Sequence, residues 1–96
     1  MDGMDGSGME VVVSMENFVF VPDRLEISVG TTVTWANGDA TRHTVTSGAD
    51  DTDDGVFDSG DIAPGERFSH TFDDPGEFAY FCDIHPTMTG VVVVTP

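Results

Sequence analysis

The sequence EFAYFCDIHPTM, residues 77–88, joins an aromatic, strand-like segment to a short loop that carries a thiol, an imidazole and a thioether. Two residues separate Cys82 from His85, and two more separate His85 from Met88. The apolar run at residues 90–95 that follows the loop also favours a strand. The loop therefore connects two strands at one end of a predicted sheet, where it can direct three side chains toward one point.

The three side chains of this loop indicate a metal site. Soft thiolate and thioether ligands select copper over harder ions, and a site built from Cys, His and a weak axial Met requires a second imidazole. His43, which begins a strand-like segment at residues 43–46, can supply that imidazole from across the sheet. The pattern predicts one mononuclear blue-copper ion bound by His43, Cys82, His85 and Met88, and no catalytic residue.

Some of these residues have ordinary structural interpretations when each is taken alone. A lone cysteine such as Cys82 is usually a small buried hydrophobic residue, and many histidines merely cap a strand. The third histidine, His70, lies between Phe68 and Phe72 on the predicted core face of a strand, which favours a structural role. Because Cys, His and Met are evenly spaced on one loop, the metal-ligand interpretation is preferred, with His43 as the second imidazole.

The charge of the chain excludes several kinds of partner. Its 96 residues carry a formal net charge of −15, and three arginines with no lysine supply all the basic side chains apart from histidines. Binding to nucleic acid or to an anionic membrane surface requires clustered lysine and arginine, so neither is expected. The single cysteine excludes an internal disulfide, and the length predicts one domain.

The acidity has two interpretations that partly exclude each other. The preferred one is a surface adapted to very salty water, since aspartate outnumbers glutamate and the acids are spread along the chain. In about 1 M salt the Debye length falls to about 3 Å, which screens the repulsion among these carboxylates. The alternative is an acidic patch that steers a cationic redox partner, an effect that the same salt would suppress.

The chain divides into a short tail and one domain. Residues 1–9 are acidic and glycine-rich, so we expect a flexible tail rather than a signal sequence, which is basic and apolar. Residues 10–96 form the predicted copper-binding domain. We expect an exported, extracytoplasmic protein whose export signal is missing, and membrane tethering through a missing N-terminal anchor stays open. The apolar runs, such as residues 91–94, are far too short to cross a bilayer.

The sequence from residue 10 onward has the alternation of β-strands and no helical period. Residues 11–15 and 67–72 alternate between the two faces of a strand, and residues 31–36 are rich in β-branched and aromatic side chains. A turn signal, Asn37-Gly38-Asp39, ends the latter segment. Residues 50–60 have no periodicity, so a long exposed loop is expected there. Short strands at this spacing predict an all-β sandwich or barrel.

These segments together resemble the cupredoxins, the small blue copper proteins. The likeness covers residues 10–95 and includes GTTVTW at 30–35, HTV at 43–45, PGEFAYFC at 75–82 and the ligand loop. The two-residue gap between His85 and Met88 resembles amicyanin, since plastocyanins and pseudoazurins have a longer gap, whereas the lysine-free acidity resembles the halocyanins of halophilic archaea. The resemblance implies an all-β, Greek-key β-sandwich of about eight strands, with copper near one end.

The resemblance also implies a role for each side chain at the site. His43, Cys82 and His85 would form the trigonal ligand plane of a type 1 copper site, with Met88 as the long axial contact. The backbone N–H of Thr44 would donate a hydrogen bond to the cysteine sulfur.

Two further loop residues bear on the reduction potential. Pro86 has no N–H with which to donate a second hydrogen bond to the sulfur, which should keep the potential lower. Asp83 departs from the small or neutral residue that commonly follows the cysteine ligand in this family. Its carboxylate should favour Cu(II).

The ligand set and the resemblance predict a non-enzymatic, monomeric carrier that exchanges single electrons with redox protein partners as copper alternates between Cu(I) and Cu(II). Multicopper oxidases add His-x-His pairs, and none occurs among the three histidines of this chain. The alternative is a copper storage or delivery protein, which would bind Cu(I) with the same ligands but without redox cycling. A metal-free adhesive β-sandwich is the remaining interpretation.

Overall fold

The computed structural model describes residues 9–49 and 52–96, and these residues form strands, turns and loops without any helix. No segment of this described part is therefore a helix long and apolar enough to cross a membrane. The nine strands are β1 (Glu10–Glu16), β2 (Val19–Val21), β3 (Arg24–Ser28), β4 (Thr31–Asn37), β5 (Thr46–Ala49), β6 (Thr52–Asp58), β7 (Arg67–Phe72), β8 (Gly76–Phe81) and β9 (Thr89–Thr95). Residues 1–8 of the predicted tail lie outside the described residues.

The strands form two mixed sheets. One has four strands in the order β2-β1-β4-β7, and the other has five in the order β3-β9-β8-β5-β6. β1 pairs with β4 and β3 pairs with β9 in parallel, whereas the remaining pairs are antiparallel. The predicted all-β sandwich is therefore confirmed, with one strand more than the expected eight or so.

The core lies between the two sheets and contains the inward side chains of alternating strands. On β1, Val13 and Met15 are fully buried, whereas Val12, on the opposite face of the strand, is exposed, as the two-residue period predicts. Trp35 on β4 is fully buried, and its ring contacts the rings of Phe57, Phe68, Phe72 and Tyr80. Each such side chain contributes about 1.5–3 kcal/mol when it leaves water, so this aromatic cluster is a main source of stability.

The prediction of a long loop at residues 50–60 is wrong. β6 (Thr52–Asp58) is a strand at the edge of the five-stranded sheet, where it pairs with β5 alone. Phe57 is its one buried residue, and the others are exposed on both faces. An edge strand with water on both faces has no apolar alternation, so the sequence pattern could not reveal it.

The pairing of β5 with β6 depends on Gly48. Its φ of 135° lies in a region that side-chain-bearing residues rarely adopt, and an added Cβ would overlap the backbone carbonyl of Thr52. We expect Gly48→Ala to destabilise the fold by about 2–4 kcal/mol, from backbone strain and the clash together. Urea unfolding of the metal-free protein measures this as a lower midpoint at unchanged slope.

Gly55→Ala is the matched control for this substitution. Gly55 also has a positive φ, of 80°, but an added Cβ would meet nothing within 4 Å. Gly55→Ala should therefore lower the free energy of unfolding by the backbone strain alone, about 1–2 kcal/mol. Equal losses in the two variants would show that the close approach of β6 to Gly48 does not matter.

The fold brings two distant segments to one end of the sandwich. β8 ends at Phe81 and β9 begins at Thr89, so the loop 82–88 joins two neighbouring strands. Thr46 at the start of β5 pairs with Phe81 at the end of β8. The residues just before β5, including His43, therefore lie beside the beginning of the loop.

Candidate metal centre

The loop at residues 82–88 is held by its own backbone. The Cys82 N–H donates to the Met88 carbonyl at 3.0 Å, the His85 N–H to the Cys82 carbonyl at 3.2 Å, and the Met88 N–H to the His85 carbonyl at 2.9 Å. Met88 is 2% exposed and Cys82 is fully buried. The two sulfur side chains are thus turned into the protein, while His85 is only partly buried.

His43 reaches the site from a segment that precedes β5. It forms an isolated antiparallel bridge with Ile62, in which the His43 N–H donates at 3.2 Å and the Ile62 N–H donates back at 2.8 Å. The Asn37 side-chain amide donates to the carbonyls of Thr41 and Ile62, both at 2.9 Å, and so joins the two segments further. His43 is held firmly and is fully buried.

The structure brings the predicted nitrogen and sulfur donors together. The Cys82 Sγ lies 3.7 Å from His43 Nδ1 and 3.8 Å from His85 Nδ1. A nitrogen and a sulfur bound to one metal at about 2.0–2.1 and 2.3 Å, at an angle of roughly 110–120°, lie about 3.6–3.8 Å apart. Both observed distances fit this separation. Met88 lies near the same three side chains.

The tautomer of His43 suits metal binding. Its Nε2 lies 2.8 Å from Asp39 Oδ2. Burial raises the pKa of Asp39, but hydrogen bonds from the Phe18 N–H, from His43 and from the Asn17 N–H outweigh it and lower this pKa overall. The ionised carboxylate only accepts hydrogen bonds, so Nε2 carries the proton and the Nδ1 lone pair faces the sulfur.

The cysteine sulfur has the backbone donor that was predicted for it. The Thr44 N–H donates to Cys82 Sγ at 3.3 Å, and both residues are buried. Thr44 Oγ1 also accepts a hydrogen bond from the Asp83 N–H at 2.9 Å and lies 3.0 Å from Thr46 Oγ1. These bonds join the segment of His43 to the loop of Cys82. A donor aimed at the sulfur stabilises the thiolate, the form that binds metal.

His70, the rival histidine, lies outside this group. Its ring contacts those of Phe57 and Phe72, at centroid distances of 4.9 and 4.8 Å. Burial lowers the pKa of His70, and the nearby Asp73 carboxylate opposes that shift. The neutral ring therefore packs beside the core, as the sequence predicted.

Sequence reasoning missed two residues at the site. Phe18, in the turn between β1 and β2, places its ring 5.4 Å from that of His43 and 4.8 Å from that of His85. Asp39 holds the far nitrogen of His43. Asp39 precedes His43 by four residues, a spacing that indicates side-chain contact where a helix is expected, and no helix was expected here. Nothing in the sequence marks Phe18.

Fold and site together define a small β-sandwich protein with a buried set of soft metal donors. Residues 7–95 match the family described as copper-binding proteins of the plastocyanin/azurin type. The chain belongs to this family, the cupredoxins, and its donor set fits copper.

One similar protein of known sequence is the amicyanin of Paracoccus versutus. It is 31% identical over 84 residues, which cover 88% of this chain and 64% of the amicyanin. The chain thus spans less than two thirds of the length of this relative. The resemblance to amicyanin that the short ligand loop indicated is present over most of the described domain.

Two solved structures extend the comparison. A purple cupredoxin from Nitrosopumilus maritimus is 33% identical with a TM-score of 0.80, over 91% of this chain and 99% of that one. The copper-containing nitrite reductase of Thermus scotoductus is 36% identical with a TM-score of 0.81, but the match covers 92% of this chain and only 23% of the reductase. The same fold therefore occurs both in a cupredoxin of similar length and within a much longer enzyme.

Proposed function

We propose that this protein is a type 1 copper electron carrier in which His43, Cys82 and His85 are the close ligands and Met88 is a weak axial ligand. The observation that carries this proposal is the pair of Sγ–Nδ1 distances, 3.7 and 3.8 Å, at a buried thiol. Copper bound by such a set supplies a one-electron couple between Cu(I) and Cu(II).

The residues around the donors limit how far the ligands can move. Asp39 holds His43 at its far nitrogen, and Thr44 holds the sulfur. Three backbone hydrogen bonds close the ligand loop on itself. Because the ligands are fixed from outside, their arrangement changes little between oxidation states, which favours fast electron exchange.

His85 marks the expected place of contact with redox partners, because it is the proposed ligand nearest the surface. Ile84 is 37% exposed, and Pro86 and Pro64 are also exposed. Met88 does not belong to this apolar surface, because it is buried. In concentrated salt an apolar contact should matter more than charge steering.

We expect Ile84→Asp to slow electron self-exchange between reduced and oxidised copies by about tenfold or more. The two copies would then approach each other through surfaces that each carry an additional negative charge. Because a charged contact surface loses its water less readily than an apolar one, the encounter would be less favourable. Line broadening in NMR spectra of mixed oxidation states, in about 1 M salt to limit general repulsion, measures the rate. Val56→Asp is the control, since Val56 is 49% exposed on β6. Equal slowing in both variants would contradict the proposed contact surface.

We expect Asp83→Asn to raise the reduction potential by a few tens of millivolts. The exposed carboxylate next to Cys82 stabilises the more positive copper ion, so its removal favours the reduced state. Asp74→Asn, at the turn before β8, removes the same charge near the other end of that strand and should leave the potential almost unchanged. A potentiometric titration measures both, and an unchanged or lower potential in Asp83→Asn would contradict this role.

The alternative role is copper storage or delivery. Repeated reduction and reoxidation of the copper-loaded protein at a controlled potential separates the two functions. An electron carrier gives one reproducible potential and keeps its copper through every cycle. Loss of copper in one oxidation state, or the absence of a reversible potential, would support storage or delivery and reject the carrier.

The remaining features of the proposal follow from the carrier function. We propose a non-enzymatic, monomeric protein that acts outside the cytoplasm with protein donors and acceptors. Residues 10–96 would form the functional domain. The closer likeness to halocyanins and the adaptation to salt stay predictions, supported by the net charge of −15 and the lack of lysine.

A further inference from the structure

The Phe18 ring forms a cluster with both imidazoles of the metal centre. Its plane is nearly perpendicular to each, at 88° to His43 and 90° to His85, with centroid distances of 5.4 and 4.8 Å. The two imidazole rings are themselves 5.2 Å apart. Perpendicular aromatic contacts at such distances are favourable, so Phe18 restrains both rings. Phe18 is nevertheless 49% exposed and covers them from the solvent side.

The backbone that presents this ring is in an unfavourable conformation. Asn17 and Phe18 have φ angles of 54° and 62°, in the left-handed region that a bulky residue such as phenylalanine rarely adopts. Strained residues of this kind persist only where surrounding contacts determine them, and they concentrate at functional sites.

A single carboxylate holds both the strained turn and the first histidine. Asp39 Oδ1 accepts a hydrogen bond from the Asn17 N–H at 2.7 Å, and Oδ2 accepts one from the Phe18 N–H at 3.0 Å. The same Oδ2 lies 2.8 Å from His43 Nε2. The position of the turn is thus tied directly to the position of His43.

His85 has the greatest need for an external restraint. It lies on a loop and is partly exposed, whereas His43 and Cys82 are fully buried. The backbone hydrogen bonds of the loop fix its backbone, whereas the imidazole ring is held by side-chain contacts, with Cys82 Sγ 3.8 Å from its Nδ1 and the His43 and Phe18 rings beside it. The Phe18 ring, which is itself half exposed, contacts the His85 ring.

We propose that the turn between β1 and β2 is a positioning element of the metal centre, in which Asp39 fixes the turn and thereby holds the Phe18 ring against His43 and His85. The ring keeps the two imidazoles in their ligand positions before metal binds and limits access of water and competing ligands to His85 afterwards. This inference rests on the proposed function only in taking the two histidines as copper ligands.

The first test uses the protein without metal. In NMR spectra of the metal-free wild type, ring protons of both histidines should show ring-current shifts from Phe18. Phe18→Leu should remove these shifts. Asp39→Ala should remove those of His85 as well, although Asp39 is not proposed to touch His85, because the turn is released. Val19→Ala, a change at a neighbouring residue that is 50% exposed, should leave them unchanged.

The second test measures the rate at which a strong chelator removes Cu(II) from the loaded protein. Two aromatic contacts are lost in Phe18→Ala, so removal should be about tenfold faster or more. Phe18→Tyr, which keeps the ring, should restore the wild-type rate, and Val19→Ala should match it. If Phe18→Ala does not fold, Phe18→Leu replaces it, with the metal-free spectra as the check on its fold.

The outcomes separate this inference from the proposed function. A wild-type protein that binds no copper rejects the proposed function, while the metal-free spectra still decide whether the turn positions the imidazoles. The inference would be overturned, even where copper binds normally, if the His85 ring protons of Asp39→Ala kept the shifts of the wild type. It would also be overturned if the chelator removed Cu(II) from Phe18→Ala or Phe18→Leu at the wild-type rate. Equal effects in Val19→Ala would also overturn it, because they would indicate general loosening of the turn.

Discussion

Replacing Cys82 with serine is expected to abolish the intense visible absorption of the copper-loaded protein. That absorption requires a thiolate bound to Cu(II), and Cys82 is the only cysteine of the chain. Serine offers a hard oxygen in place of soft sulfur, so the affinity for Cu(I) should also fall by more than about 100-fold. A titration with copper followed by absorption, and competition with a Cu(I) chelator, measure both effects.

The fold should survive this substitution. The serine hydroxyl can accept the hydrogen bond that the Thr44 N–H now donates to Cys82 Sγ, so no buried donor is left unpaired. Thr87→Ser, a conservative change at an exposed position of the same loop, is the control and should keep the absorption. An intense band that persists in the Cys82 variant would contradict the proposed ligand set.

The second large effect is expected at His43 and not at His70. In His43→Gln the nitrogen that now lies 3.7 Å from Cys82 Sγ is replaced by an amide that binds copper poorly. We expect the intense band to be lost and the affinity for copper to fall by more than about 100-fold. Absorption spectra and copper competition of the purified variant measure this loss.

His70→Gln is the matched control for this substitution. The His70 ring contacts Phe57 and Phe72, outside the group formed by His43, Cys82 and His85. Its replacement should change stability slightly and leave the copper spectrum intact. A copper spectrum that depends on His70 but not on His43 would contradict the proposed ligand set, because His70 would then be the second imidazole ligand.

The ligand loop was predictable from the sequence because its chemistry is local. Cys82, His85 and Met88 lie on one short loop between two strands, and strand geometry places such a loop at the end of a sheet. His43 was harder to predict, because its approach to Cys82 depends on the pairing of β5 with β8. It was found because the copper ligand set required a second imidazole and His70 occupied a core position.

What the sequence could not reveal depends on contacts between distant segments. Asp39 holds the backbone of Asn17 and Phe18 across 22 and 21 positions of the chain, respectively. No periodicity indicates that these two residues adopt positive φ angles. β6 was missed for a related reason, since an exposed edge strand lacks the apolar alternation that identifies a half-buried strand.

The most direct test of the copper site is a titration of the metal-free protein with Cu(II), followed by visible absorption and electron paramagnetic resonance. The account predicts that an intense blue band rises to saturation at one copper per chain and disappears reversibly on one-electron reduction. A solution that stays colourless while copper binds would contradict it, because copper would then be held without the Cys82 thiolate.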